Sequence, residues 1–140
     1  MSAIDSSLVE AYKNAVYRVQ TSDSHIEFFV DSISPELDNT LRIHSAATAA
    51  FITACNPQSE VLNPEENQRR HKNLLNRLKA MQLSWLPGDS GDQAGHWAAE
   101  KSILILGISR ESATALANEH GQNAFVWVQR GKPVQLVLTR

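Results

Sequence analysis

The chain is poor in several things that decide what a protein can be. It has one cysteine, Cys55, in 140 residues. No internal disulfide can form, and a reducing compartment is the natural expectation. Lys and Arg number 13 against 15 Asp and Glu, a formal net charge of −2. No bulk charge therefore draws the chain to nucleic acid or to an acidic membrane. No apolar run approaches the ~20 residues that cross a bilayer. The opening Met1-Ser2-Ala3-Ile4-Asp5 has neither the basic nor the apolar region of a signal peptide. These absences predict a cytoplasmic protein without membrane association. No repeat or low-complexity tract breaks the chain, and its length fits a single domain over residues 1–140.

Missing motifs narrow the chemistry. The five histidines, His25, His44, His71, His96 and His120, show no paired metal-ligand spacing, and Asp89 and Asp92 do not match a calcium loop. There is no Walker-type or dinucleotide glycine fingerprint. Gly88-Asp89-Ser90-Gly91 looks like the nucleophile segment of trypsin-like proteases. The chain is too short for that two-barrel fold, and no His and Asp partners are placed around the segment. Arg69, Arg70, Lys72, Arg77 and Lys79 make one helix basic, but without interleaved aromatics this is a solvated face rather than a nucleic-acid platform. No cofactor is expected, no motif assigns an enzymatic activity, and no feature sets an oligomeric state.

What is present is a clear succession of periodicities. Ser7 followed by Glu10 has capping-box spacing, and Leu8, Tyr12, Ala15 and Val19 recur at helical intervals, predicting a first helix to about Gln20. Thr21–Ser24 reads as a turn and His25–Val30 as a strand. Ser34 and Pro35 open a short helical turn. Ala46–Cys55 is alanine-rich, but Phe51-Ile52-Thr53 ahead of Asn56-Pro57 favours a buried strand, because the residue before proline prefers extended geometry. Asn63, Pro64 and Glu66 start a helix that runs to about Gln82.

Leu83–Leu86 then reads as a short strand and Pro87–Gly95 as a loop. Ser102–Gly107 is a buried strand, and Ser109 caps a helix that Gly121 ends. Strands at Ala124–Gln129 and Val134–Leu138 finish the chain around a turn at Arg130-Gly131. The order α-β-β-α-β-β-α-β-β predicts an α+β fold. Its sheet is mixed or antiparallel, with about five or six strands covered by about three helices.

The candidate site lies between Ala49 and Leu78. At about 100° per residue, His71, Leu74, Leu78 and Met81 fall within about 40° of Asn67, and Arg70 within about 60°. That helix face is polar first and apolar afterwards, as expected where a helix leaves a pocket and enters the core. Arg70 offers a fork for carboxylate or phosphate. Asn56 and Ser59 follow a buried strand, where binding loops often sit. Glu100 enters the next buried strand and is the natural partner for Arg70, while Gln122 and Asn123 precede another strand. Asn56, Ser59, Asn67, Arg70, Glu100 and Gln122 are thus the expected ligand-binding residues. A bland reading stands beside this one: Arg70 pairs internally, Asn67 ties down the Asn56 loop, and Thr53 is a satisfied core hydroxyl. Cys55 as a nucleophile would need a base, and His71 is the sole candidate.

Phe51-Ile52-Thr53-Ala54-x-Asn56-Pro57, Asn67-x-x-Arg70, Glu100-x-Ser102 and Gly121-Gln122-Asn123-Ala124 with Trp127 together resemble a family of small bacterial proteins catalogued as a domain of unknown function. The likeness runs from about Tyr12 to Leu138. Many relatives carry an aromatic where this chain has Cys55, which argues against cysteine chemistry. The resemblance implies no activity, substrate or cofactor. Two functions remain open. One is binding of a small anionic or nucleotide-like metabolite in the polar cleft. The other is a protein-interaction or regulatory module, a homodimer included, whose polar network is only structural and which exposes an apolar patch at Trp85, Trp97 or Trp127.

Overall fold

In the computed structural model, which describes residues 4–93 and 99–139, chain order begins with α1 (Ser6–Asn14), β1 (Ala15–Gln20), β2 (His25–Phe28), α2 (Pro35–Ile43) and β3 (Thr48–Thr53). A 3-10 turn at Pro57–Ser59 leads to α3 (Pro64–Met81), β4 (Trp85–Asp92), β5 (Glu100–Leu106), α4 (Arg110–Glu119), β6 (Ala124–Gln129) and β7 (Gln135–Leu138). The described strands form one sheet in the order β2-β1-β4-β5-β3-β6-β7, every neighbouring pair antiparallel. The α+β class is as expected. Among the described residues the sheet has seven strands rather than about five or six, and there are four α-helices rather than about three.

Local signals placed most helices correctly. The side chains of Ser34, Asn63 and Ser109 each accept the N–H three residues on, from Leu37, Glu66 and Ser112. Each satisfies a donor that the helix itself cannot. Gly121, at φ +69°, follows α4 in the left-handed conformation that ends helices. At α1 the cap is Asp5, which accepts from the Ser7 N–H, rather than Ser7 itself. Glu66 pairs with Arg69 at 2.5 Å.

Two element assignments fail, both on strands. The first helix stops at Asn14, and Ala15–Gln20 is β1. Ala15, Tyr17 and Val19 also alternate by two, and hydrogen bonding to both β2 and β4 makes that period the winner. The second failure is the expected loop from Pro87, of which residues 87–92 belong to β4; Gly95 lies outside the described residues. Pro87 is tolerated because β1 pairs no further along β4 than Gly88, which leaves Pro87 only β5 beside it. At Gly88 a Cβ would stand 2.2 Å from the Arg18 carbonyl oxygen, so glycine is what lets β1 and β4 close up.

The sheet carries a core on each face. Leu37 and Leu41 of α2 pack with Tyr17, Val19, Phe28, Phe51, Leu104 and Val126 on one face. Leu74 and Leu78 of α3 and Ala113, Leu116 and Ala117 of α4 pack with Ile52, Ile103, Ile105 and Trp127 on the other. β3, β5 and β6 are buried on both faces and read as continuous apolar runs.

Candidate functional site

Strand register puts an unusual row on the α2 face. Side chains two apart share a face, so Phe51 and Thr53 in β3 align with Leu104 and Ser102 in β5, and Ser102 and Glu100 align with Gly88 and Ser90 in β4. One end of this face is apolar; the other is lined by Thr53, Ser102, Glu100 and Ser90. A cavity of about 410 Å³ opens over the junction. Tyr17, Phe51, Val126 and Leu136 contribute its apolar part, and Leu8 and Tyr12 of α1 flank it. Tyr17, Phe28 and Phe51 form an aromatic cluster beneath, with ring centroids 5.4–5.7 Å apart. Val61, also in the lining, is 88% exposed and marks the mouth.

The loop after β3 walls the polar end, in a strained backbone. Asn56, Gln58 and Ser59 all adopt positive φ, 48°, 54° and 61°, a conformation uncommon outside glycine. Hydrogen bonds hold it. The Asn56 and Asn67 side chains are locked together: Asn67 Nδ2 donates to Asn56 Oδ1 at 2.8 Å, and the Asn56 N–H donates to Asn67 Oδ1 at 2.9 Å. Asn56 Oδ1 also takes the Leu62 N–H, and the Gln58 N–H reaches the Gly121 carbonyl at 2.8 Å. Ser59 Oγ bonds Tyr12 Oη at 2.7 Å, and Asn123 Nδ2 donates to the same phenol at 3.2 Å.

Arg70 and Glu100 do not pair. Arg70 Nε donates to the Ala54 carbonyl at 2.8 Å and Nη2 to the His120 carbonyl at 2.7 Å, so the guanidinium staples the end of β3 to the end of α4. Gln122 Nε2 supports the same joint by donating to the Cys55 and His120 carbonyls. Glu100 instead accepts from Asn56 Nδ2 at 2.6 Å through Oε2. Burial pushes its carboxyl above the usual range, and the Asn56 hydrogen bond offsets part of that.

Asn56, Ser59, Glu100 and Gln122 thus line the cavity, whereas Asn67 and Arg70 stand behind the loop and position it. Tyr12, Tyr17 and Phe51 belong to the lining without having been singled out. The period-two spacing of Ala15, Tyr17 and Val19 was the available signal for Tyr17. The Thr53 and Ser102 hydroxyls donate to the Lys101 and Glu100 carbonyls, so both are satisfied.

Other expectations resolve simply. The Cys55 thiol is buried, lies 3.6 Å from the Lys101 carbonyl and is pushed up by burial, the opposite of an activated nucleophile. His71 is held down by burial and by the Lys101 charge, and its Nδ1 is buried without a partner. Trp127 is core and Trp85 packs against the same core, so neither forms an exposed patch; Trp97 lies outside the described residues. Asp89 pairs with Arg18 at 2.6 Å. Among the described residues no His, Cys, Asp and Glu cluster could hold a metal ion, and no helix is long and apolar enough to cross a membrane.

A family described as "Protein of unknown function (DUF3293)" matches residues 52–125, just over half of the chain. The chain belongs to this family. The matched span holds Asn56, Asn67, Arg70, Glu100, Ser102 and Gln122, and so both the staple and the polar end of the cavity. Phe51 and Trp127, which also carried the resemblance, fall outside it. No curated protein and no solved structure matches the chain.

Proposed function

We propose that this family member is a small-molecule binding domain spanning the whole chain, and that its ligand is a compact, largely apolar organic molecule. The observation that carries this reading is the cavity itself. Its volume, about 410 Å³, lies in the range of roughly 300–1,000 Å³ typical of ligand sites. It joins an aromatic and aliphatic part to a few converging polar groups, the arrangement by which such sites bind and orient. Segments from both ends of the chain line it, α1 and β7 included, which supports treating the chain as one unit.

An anionic ligand fits this geometry less well than the polar motif implied. Arg70 spends its Nε and Nη2 on backbone carbonyls, and Glu100 would repel a carboxylate or phosphate. The asparagine and arginine motifs instead build a wall rigid enough to hold a cavity open.

Ligand-observed NMR with a panel of neutral aromatic and aliphatic fragments tests the proposal. Binding is expected in the wild type and lost in Ala124→Phe, which fills the cavity from the sheet side. If no fragment binds, or binding survives in a folded Ala124→Phe variant, the cavity is not the site.

A further inference from the structure

Resting on the binding reading above, we infer that the cavity's occupant carries an organic cation, a protonated amine, placed against Glu100. Glu100 is the one charged residue among the described residues that line the cavity. Asn56 Nδ2 occupies Oε2, and among the described residues Oε1 has no hydrogen-bond partner. Three cations on the adjoining elements α3, β1 and β5 are committed elsewhere. Arg70 grips two carbonyls, Arg18 pairs with Asp89, and alternation along β5 sends Lys101 to the α3 face, opposite Glu100.

A half-buried carboxylate without a protein cation has two ways to lose its unfavourable charge: bind a proton, or bind a cation from outside. An ammonium group answers both the charge and the free oxygen with one charge-assisted hydrogen bond. The aromatic lining suits the same ligand. Tyr12, Tyr17 and Phe51 bring ring surface to the cavity, and aromatic faces attract cations as well as apolar bodies. The ligand class is then an aryl- or alkyl-amine, its apolar body over Phe51 and Val126 and its ammonium at Glu100.

Three near-isosteric probes separate this inference from the cavity reading: phenethylamine, phenethyl alcohol and hydrocinnamate, titrated by NMR against the whole chain. The amine should bind wild type at least roughly tenfold tighter than the alcohol, as one charge-assisted hydrogen bond allows, and hydrocinnamate should bind weakest. In Glu100→Gln the advantage of the amine over the alcohol should disappear, the two binding within roughly twofold of each other. Equal affinity for amine and alcohol in wild type overturns the inference and leaves the cavity reading intact. So does an amine preference that survives Glu100→Gln. If none of the three binds, both readings fail. The comparison within wild type stands even if Glu100→Gln does not fold.

Discussion

Arg70 shows how one side chain can look like a binding group and act as a joint. Its fork spans the Ala54 and His120 carbonyls, two acceptors at the ends of β3 and α4. Arg70→Ala would leave both without their main donor, although Gln122 still reaches His120. Hydrogen bonds from charged groups are worth about 1.5–3 kcal/mol each and are not additive, so a loss of about 3 kcal/mol is expected in urea unfolding. Arg70→Lys should fall between, because an ammonium is a point donor and not a fork. A variant with wild-type stability would show that the joint contributes nothing. The polar motif around it was legible because Asn, Arg and Glu stand out against apolar neighbours. Which of them faced the cavity was not legible, since Arg70–Glu100 and Asn56–Glu100 pairings satisfy the same groups equally well on paper.

At the scale of elements, β4 is the instructive case. Its composition is that of a loop, with Pro87, Gly88, Asp89, Ser90 and Gly91 in succession, yet it lies inside the sheet. Gly88 is required by space: a Cβ would sit 2.2 Å from the Arg18 carbonyl and 3.0 Å from the Phe51 ring. Gly107, at φ +75° with nothing within 4 Å of a built Cβ, is required only by conformation. Gly88→Ala should therefore cost about 3 kcal/mol, because backbone must move to admit it. Gly107→Ala should cost about 1 kcal/mol from the left-handed backbone alone. Thermal unfolding of the two variants measures the contrast, and equal losses would mean that the β1–β4 approach is not tight. By comparison α3 was readable from end to end, because its first-turn proline and leucine seam lie within its own 18 residues and its cap, Asn63, directly precedes them.

For the whole molecule, the sheet separates two titrating groups with opposite effects on stability. Glu100 faces the cavity, and its folded pKa lies above the ordinary 4.5. The native state keeps a proton that the unfolded chain releases, so this contribution is full below 4.5 and is lost as pH rises through the folded value. His71 lies on α3, with a folded pKa below the ordinary 6.5. Its contribution is present above 6.5 and is lost as pH falls below it. Between 4.5 and 6.5 the two oppose each other. Urea midpoints across that window should rise with pH more steeply in Glu100→Gln than in wild type, and less steeply in His71→Leu. Identical slopes in all three proteins would refute the assignment.

The sequence by itself determined the fold class, the caps at Ser34, Asn63 and Ser109, the helix α3, and the buried strands β3, β5 and β6. Those features are written in residues a turn or a strand step apart, where periodicity and capping act. Only the tertiary structure decided that Ala15–Gln20 and residues 87–92 are strands, that Arg70 serves carbonyls, and that Glu100 is left to a cavity. The reason is common to all three. A backbone or side-chain donor goes to whichever acceptor the distant chain brings within reach, and cross-strand register, not local composition, sets that reach.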